Sequence, residues 1–296
     1  MITNVSFIRR LGKGGFSEVD LVQCQLTKQK YALKKVDFSD LNVDTITIKQ
    51  LIEEVSLLEK IKDNRFIVKL FSSKVTNHFA LLFLEPCLAG DLWSLIQKNG
   101  PFHEEDAKFY VGCVMEGLDY LQKTGILFRD LKPENILLCS TGYVKISDFG
   151  LSKALSAGEK TRTVVGTAEY LAPEMLSSKE GYDHRATLWS LGVFVYELIH
   201  GSPPFTSNNR STLFSKISVG FKRFAFPPQL SSNAVEIIQM LCRVNPTQRA
   251  SLEMIRKFMW FSGFSWEDLR AEVFPAPWIP DPTDEMILDD TSLRGF

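Results

Sequence analysis

A glycine-rich segment near the start of the chain has residue types that can bind phosphate. The segment consists of Leu11, Gly12, Lys13, Gly14, Gly15, Phe16, Ser17, Glu18 and Val19. Glycines let a turn approach a polyanion closely and direct its N–H groups towards the anion. A tight hairpin without a ligand explains the same residues. A dinucleotide-binding site is disfavoured, because a strand-like segment follows the glycines and the chain has no GxxxxGK[ST] motif.

A lysine and a glutamate further along could form an ion pair beside that segment. Lys34 follows Tyr31, Ala32 and Leu33 on a predicted strand, and Glu54 lies twenty residues later on a predicted helix. A charged side chain among apolar neighbours needs a partner. A pair joining sheet and helix could hold the ammonium against phosphate oxygens. A solvated strand lysine is the alternative for Lys34 alone.

The first 84 residues have the pattern of elements that could position these groups. Strand character occurs over residues 5–11, 19–23, 30–36, 66–71 and 79–84. Leu51, Val55, Leu58 and Ile61 recur at helical spacing within residues 47–61. We therefore predict a small antiparallel sheet with one helix.

The remaining sequence is mainly helical in pattern. Helical periodicity occurs over residues 92–97, 104–123, 188–199, 212–219, 233–242 and 252–257. Residues 125–170 are too irregular for a helix bundle. Residues 262–296, with prolines at positions 275, 277, 280 and 282, are predicted to form an extended strap without a core of its own.

Composition narrows the class of partner. The chain has 296 residues, 34 Lys and Arg against 35 Asp and Glu, and a net charge of −1, which disfavours a nucleic acid partner. Its five cysteines form no CxxC pair, so we expect a reducing, intracellular compartment: the cytoplasm, with the nucleus as a second location. No apolar run approaches the length of a membrane span. Ile2 excludes N-myristoylation.

Three motifs in the middle of the chain complete a known set. They are Phe128-Arg129-Asp130-Leu131-Lys132-Pro133-Glu134-Asn135, then Asp148-Phe149-Gly150, then Ala172-Pro173-Glu174. With the glycine-rich segment and Lys34, they resemble the protein kinase signature in order, type and spacing. The resemblance covers essentially the whole chain. It implies an α+β, two-lobed protein kinase fold, with an N-lobe at 1–84, a hinge at 85–87, a C-lobe at 88–261 and a C-terminal tail at 262–296.

The resemblance also implies ATP and Mg²⁺ and a role for each motif. The glycine-rich segment would cover the phosphates, and Lys34, held by Glu54, would contact the α- and β-phosphates. Asn135 and Asp148 would hold Mg²⁺. Asp130 would accept the hydroxyl proton, and Lys132 would neutralise the γ-phosphate. The remaining nucleotide contacts would come from Ala32, Leu84, Glu85, Cys87 and Asp91.

Other segments resemble the serine/threonine kinases of the AGC group. Lys132 and Gly166-Thr167-Ala168-Glu169-Tyr170 distinguish the chain from tyrosine kinases. Residues 85–93, 201–205, 242–246 and 263–270 are most similar to the catalytic domain of cyclic-GMP-dependent protein kinase, with the cyclic-AMP-dependent kinase next. The resemblance implies protein substrates with basic residues before the acceptor, bound by Asp91, Glu134 and Glu197.

The same resemblance assigns positions in the activation segment. Thr167 would bridge Asp130 and Lys132. Thr163 would be phosphorylated, and the phosphate would pair with Arg129. Glu174 would pair with Arg249. An upstream kinase or a regulatory subunit is therefore an expected partner. A kinase fragment and a free-standing catalytic chain both remain open, since the kinase signature starts by residue 7.

Four residues depart from the family pattern. Ser17 replaces the third glycine, Phe128 a Tyr or His, and Ala168 a Pro. Thr187 replaces the Asp that bonds the backbone of the catalytic loop, and we hypothesise that this weakens the anchor. The strap segment 282–290 also lacks the usual leading Phe.

These departures leave an alternative to an active kinase. The alternative is a pseudokinase-like scaffold that binds ATP with weak or no transfer. The presence of Lys34, Glu54, Asp130, Asn135 and Asp148 favours the enzyme. A small-molecule kinase fits the activation segment poorly.

Overall fold

The computed structural model describes residues 2, 4–13, 17–37, 45–76, 78–177 and 180–281. Gly14, Gly15 and Phe16 of the glycine-rich segment lie outside the described residues, and so does the strap segment 282–290.

The N-terminal part is a five-stranded antiparallel sheet with one helix. Its strands are β1 (Val5–Lys13), β2 (Ser17–Cys24), β3 (Lys30–Asp37), β4 (Leu70–Val75) and β5 (Phe79–Leu84), in the order β1-β2-β3-β5-β4. Helix α1 (Thr45–Lys60) buries Leu51, Val55 and Leu58, the stripe that the sequence predicts. Lys34 lies opposite Val19 on β2 and Leu82 on β5, in the middle of the sheet.

The C-terminal part is mainly helical. Its helices are α2 (Leu92–Asn99), α3 (Glu104–Lys123), α4 (Pro173–Ser177), α5 (Arg185–His200), α6 (Arg210–Val219), α7 (Ser232–Leu241), α8 (Leu252–Arg256) and α9 (Trp266–Ala271). Helix α5 is buried over almost its whole length and forms the centre of this lobe. Among the described residues, no helix is both long and apolar enough to cross a membrane.

Short strands join the irregular segment between α3 and α4. They are β6 (Ile126–Leu127), β7 (Ile136–Leu138), β8 (Val144–Ile146) and β9 (Lys153–Ala154), with β6 paired to β9 and β7 to β8. Asp130 lies three residues after β6, and Asp148 lies two residues after β8. The pairing of β6 with β9 and of β8 with β7 therefore holds the backbone close to both aspartates in place.

The predicted strand at 66–71 is wrong in its position, because β4 begins at Leu70. Phe66, Ile67 and Val68 are instead buried in the core that joins the two lobes. The Val68 N–H donates to the Ile146 carbonyl at 3.0 Å, and the Ile146 N–H donates to the Phe66 carbonyl at 2.8 Å. The apolar run is continuous because both of its faces are covered, which a one-sided sheet strand does not need.

The prediction of an extended tail is also wrong for its first part, which forms helix α9. Helix α9 packs on α3, and Leu269 is fully buried. A Cβ added at Gly112 on α3 would lie 2.9 Å from the Phe264 ring, so this glycine allows the close approach of the tail. The Tyr143 hydroxyl donates to the Phe274 carbonyl at 2.7 Å. Leu269 therefore belongs to the C-lobe core, and Phe264 and Phe274 pack against it.

Candidate active site

A cleft of about 930 Å³, counted with its open mouth, separates the sheet from the helical lobe. Eight of the predicted nucleotide contacts line it: Leu11, Val19, Ala32, Lys34, Leu84, Glu85, Cys87 and Asp91. Sequence reasoning missed Val68 and Leu137, which close the apolar part of the cleft from two sides. Their only sequence signal is membership of an apolar run.

Four residues of the glycine-rich segment do not line the cleft. They are Gly12, Lys13, Ser17 and Glu18, which belong to the paired ends of β1 and β2. The Glu18 carboxylate pairs with Arg10 at 2.9 Å and with Lys13 at 3.5 Å on the sheet surface. These side chains therefore brace the hairpin that carries the glycines.

Lys34 is the centre of a buried charge cluster at the back of the cleft. Its Nζ lies 2.8 Å from Glu54 Oε1 and 3.6 Å from Asp148 Oδ1. Burial alone lowers the pKa of Lys34, but the two carboxylates outweigh burial and raise that pKa above its ordinary value. The lysine is therefore a permanent cation that joins sheet, helix α1 and the C-lobe.

Asp148 has a left-handed backbone conformation, with φ at 54°. This conformation is uncommon for a residue with a side chain, although aspartate tolerates it better than most. The Gly150 N–H donates to Asp148 Oδ1 at 3.3 Å and so closes a tight turn around the carboxylate. The turn directs a partly exposed carboxylate into the cleft beside Lys34.

Asp130 is held by groups from three directions. Its Oδ1 accepts from the Thr167 N–H at 2.9 Å and the Thr167 hydroxyl at 2.8 Å. Its Oδ2 accepts from Asn135 Nδ2 at 3.1 Å and lies 3.2 Å from Lys132 Nζ. Lys132 Nζ also donates to the Thr167 hydroxyl at 3.1 Å. Thr167 thus contacts both residues that the sequence prediction gave it.

Asn135 is almost fully buried, and hydrogen bonds fix both its side chain and its backbone. Its Nδ2 donates to the Asp130 backbone carbonyl at 2.7 Å. The Asn135 backbone carbonyl accepts from the Ser147 N–H and from the Ser147 hydroxyl, at 2.9 Å each. Ser147 precedes Asp148, so this contact ties the two predicted metal ligands together. The described residues contain no group of three or more His, Cys, Asp or Glu side chains suited to a metal ion. Two oxygen-bearing side chains suit Mg²⁺ when phosphate oxygens and water complete its coordination.

Thr187 contacts the catalytic loop in the opposite sense from the Asp that it replaces. The buried Thr187 hydroxyl donates to the Phe128 carbonyl at 2.9 Å, whereas a carboxylate can only accept. The Phe128 ring packs edge-on against Phe149, with the two ring centroids 5.4 Å apart. One neutral hydrogen bond therefore anchors the loop here.

The activation segment is connected to Arg129 through Tyr182. Arg129 donates to the Leu151 carbonyl and to the Tyr182 hydroxyl, and that hydroxyl donates to the Thr163 carbonyl at 2.6 Å. The Thr163 side chain is exposed. Sequence reasoning missed Tyr182, because no local pattern relates it to Arg129. Glu174 and Arg249 form the predicted ion pair at 2.6 Å.

Three carboxylates form an acidic rim, defined here as Asp91, Glu134 and Glu197. Asp91 caps helix α2 by accepting from the Ser94 N–H at 2.7 Å, and Glu197 accepts from the Tyr170 hydroxyl. The Glu134 Oε2 atom is buried and has no hydrogen-bond partner among the described residues. Burial raises the pKa of all three groups, that of Glu197 to about 7. A cation bound beside the acidic rim would favour the ionised form of these carboxylates.

Comparison with known proteins decides the family. The protein kinase domain model matches residues 5–261. The chain belongs to the protein kinase family. The fold class and the resemblance predicted from the sequence are therefore confirmed.

Individual relatives narrow the class. The chain is 39% identical over 279 residues to cGMP-dependent protein kinase 2 of Homo sapiens. This alignment covers 93% of the chain and 36% of the relative. The chain is 38% identical over 299 residues to cGMP-dependent protein kinase egl-4 of Caenorhabditis elegans, covering 98% and 38%. It is 37% identical over 301 residues to isozyme 2 forms cD5/T2 of the Drosophila melanogaster enzyme, covering 100% and 32%.

The kinase domain is thus of the serine/threonine class, as predicted. The chain spans about a third of the length of these curated relatives.

Proposed function

We propose that this kinase domain transfers the γ-phosphate of ATP to serine or threonine hydroxyls of protein substrates. One observation carries the proposal: the Asp130 carboxylate is held by Thr167, Asn135 and Lys132, while Lys34, Glu54 and Asp148 are in contact across the cleft. Positioning and charge neutralisation supply most of the catalysis of phosphoryl transfer. Both are already assembled in this conformation.

The proposed roles follow the geometry. Asp130 accepts the proton of the attacking hydroxyl, because its carboxylate is fixed by donors and keeps a defined orientation. Lys34 holds the α- and β-phosphates, and Lys132 holds the γ-phosphate. Asn135 and Asp148 would hold Mg²⁺, which would neutralise charge on the phosphates. The apolar walls at Val68, Leu84 and Leu137 suit the flat face of adenine.

The acidic rim supports a preference for basic substrates. A buried carboxylate without a cation is costly, and arginine can satisfy it with two hydrogen bonds. The orphaned Glu134 Oε2 atom and the raised pKa of Glu197 mark two such groups next to the catalytic loop. We therefore propose that arginines preceding the acceptor bind Glu134, Glu197 and Asp91.

Regulation by phosphorylation at Thr163 belongs to the same proposal. A phosphate there would lie close to Tyr182, whose hydroxyl donates to the Thr163 carbonyl, and to Arg129, which donates to the Tyr182 hydroxyl. We also propose the division of the chain into an N-lobe at 1–84, a hinge at 85–87, a C-lobe at 88–261 and a C-terminal tail at 262–296. The sheet ends with β5 at Leu84, and the helical part begins with α2 at Leu92.

Phosphate transfer from γ-labelled ATP with Mg²⁺ tests the proposal. Two serine peptides are compared, one rich in arginine and one with each arginine replaced by alanine. We expect efficient labelling of the basic peptide alone. ATP binding without labelling of either peptide, or of the chain itself, would contradict the proposal and favour an ATP-binding scaffold.

A further inference from the structure

Two thiols face each other beside the nucleotide cleft, and the proposed phosphoryl transfer uses neither sulfur atom. Cys87 Sγ and Cys139 Sγ lie 3.9 Å apart, although 52 residues separate them in the chain. Cys87 lies in the hinge and lines the nucleotide cleft, whereas Cys139 begins the turn between β7 and β8. All five cysteines are described, and none of them forms a disulfide bond. The other three, Cys24, Cys113 and Cys242, are buried.

The backbones that carry the two thiols already run side by side. The Leu138 N–H donates to the Gly90 carbonyl at 2.8 Å, and the Ala89 N–H donates to the Leu138 carbonyl at 3.4 Å. These bonds hold the residues that directly follow the hinge beside the end of β7. The sulfurs need to approach each other by about 1.9 Å to reach the length of a disulfide bond, since that bond is about 2.05 Å long. Side-chain rotation with a small backbone adjustment supplies such a movement.

The surroundings of the pair distinguish the two sulfurs chemically. The Cys87 thiol hydrogen-bonds to Cys139, and this bond lowers the pKa of Cys139 and raises the pKa of Cys87. Lys145 adds to the lowering of the Cys139 pKa, and its Nζ is held 3.1 Å from Glu85 Oε2. The thiolate is the nucleophile in thiol oxidation. Cys139 is thus suited to react first, with Cys87 beside it as the resolving thiol.

We propose that Cys87 and Cys139 form a reversible disulfide, produced by a peroxide, that fastens the hinge to the C-lobe and lowers turnover. The Cys139 thiolate attacks a peroxide oxygen, the O–O bond breaks, and Cys139 becomes a sulfenic acid. The Cys87 sulfur then attacks the Cys139 sulfur, the S–O bond breaks, and water leaves. With hydrogen peroxide, two thiols lose two electrons and two protons in total, and the peroxide is reduced to two water molecules.

The expected effect on turnover follows from the position of the hinge. Opening and closing of the two lobes requires the hinge to flex. In many enzymes that close around their substrate, opening and product release limit the rate. A bond between Cys87 and the turn after β7 would stiffen that connection at the nucleotide. Thiol–disulfide exchange with a dithiol reductant would restore it. This effect rests on the proposed kinase activity, whereas formation of the disulfide does not.

The test treats the whole chain with hydrogen peroxide and follows two readouts. Peptide mapping by mass spectrometry under non-reducing conditions should find residues 87 and 139 in one linked species, with two of the five thiols lost. Peptide phosphorylation should fall by about threefold or more and return with dithiothreitol. Cys139→Ser should keep the untreated rate and become insensitive to peroxide. Cys24→Ser, which removes a buried thiol elsewhere, should behave as the wild type.

Three results would overturn the proposal. The first is a treated protein that keeps both thiols. The second is linkage between two chains instead of within one. The third is equal inhibition of the wild type and Cys139→Ser. If the wild type has no kinase activity at all, the mapping experiment still decides whether the disulfide forms.

Discussion

The two charged regions of the active site differ in how their charges are balanced. At the back of the cleft, Glu54 and Asp148 both lie within ion-pair distance of Lys34. At the acidic rim, neither Glu134 nor Glu197 forms an ion pair with any described residue, and burial raises the pKa of both. In the first region, a lysine of the chain itself pairs with both carboxylates. In the second, no described cation pairs with Glu134 or Glu197, and we propose that a substrate arginine does.

This difference matches the two tasks proposed for the site, which are binding of the phosphates and Mg²⁺ and binding of a substrate peptide. Phosphate groups and Mg²⁺ are common to every turnover, so their ligands can be oriented in advance by pairs inside the chain. Substrate peptides come and go, and a rim that supplied its own cations would exclude theirs. The four predictions below test the two regions separately, beginning with the largest expected effect.

Asp130→Asn should lower turnover by about 10²- to 10⁴-fold, the range typical of losing a general base. Asparagine keeps the size of the side chain but cannot accept the hydroxyl proton. ATP binding should remain nearly unchanged, because Asp130 does not line the cleft. Parallel measurement of peptide phosphorylation and ATP affinity checks this. Glu105→Gln on the exposed start of α3 is a matched control, and unaltered turnover in Asp130→Asn would refute the assignment.

Lys34→Met should remove the cation that pairs with both Glu54 and Asp148 at the back of the cleft. Loss of the cation leaves Glu54 and Asp148 as neighbouring carboxylates without their partner. We expect kcat/KM for ATP to fall by about 10²- to 10³-fold, as when a preorganised charge is removed from a transition state. Initial rates at varied ATP concentration measure this. Lys35→Met, on the same strand but pointing to Asp37 on the surface, should have little effect. Equal losses in both variants would contradict the role of Lys34.

Glu197→Gln should affect basic substrates selectively. Removing one charged partner of a substrate arginine costs about 1.5–3 kcal/mol, or roughly ten- to a hundredfold in kcat/KM. The rate with the alanine-substituted peptide should hardly change. Glu180→Gln, an exposed carboxylate away from the rim, serves as the control. If both peptides lose rate equally, Glu197 supports the fold and does not read the substrate.

Thr187 should give the smallest effect. Thr187→Val removes the hydrogen bond to the Phe128 carbonyl, which is worth about 0.5–1.5 kcal/mol, so the melting temperature should fall by a few degrees. Thr187→Asp restores a carboxylate that accepts from the loop backbone and should raise either the melting temperature or turnover. Thermal unfolding and peptide assays measure both. No change in either quantity with Asp would refute the idea that Thr187 weakens the anchor.

Residues that act within short motifs could be predicted from the sequence, whereas contacts formed only by folding could not. The stripe at Leu51, Val55 and Leu58 gave helix α1, because burial on one face leaves a period of 3.6 residues. The run at 66–71 was misplaced, because a segment buried on two sides has no period. The packing of Phe264 and Leu269 on α3 was missed for a different reason. Nearby prolines indicated an extended chain, while tertiary contacts stabilised a short helix.

The candidate site divides in the same way. Lys34, Asp130, Asn135 and Asp148 could be proposed as site residues from the sequence because their motifs have fixed spacing. The bond from Tyr182 to Thr163 and the thiol pair of Cys87 and Cys139 join residues 19 and 52 positions apart, which no local pattern relates. Charge balance is also invisible in a sequence, since it depends on which carboxylates burial isolates.

The most direct measurement is the titration of Glu197 by NMR, with Glu197→Gln used to assign its signal. In the free protein the carboxylate should titrate with a pKa of about 7, so it loses its proton as the pH rises through neutrality. Between the ordinary pKa and about 7, the folded protein keeps a proton that the unfolded chain has lost, so this group makes stability decrease as the pH rises. An arginine-rich peptide that carries alanine at the acceptor position should favour the ionised form and lower this pKa. A free-protein pKa in the ordinary range, or one that the basic peptide does not move, would contradict the account of the acidic rim.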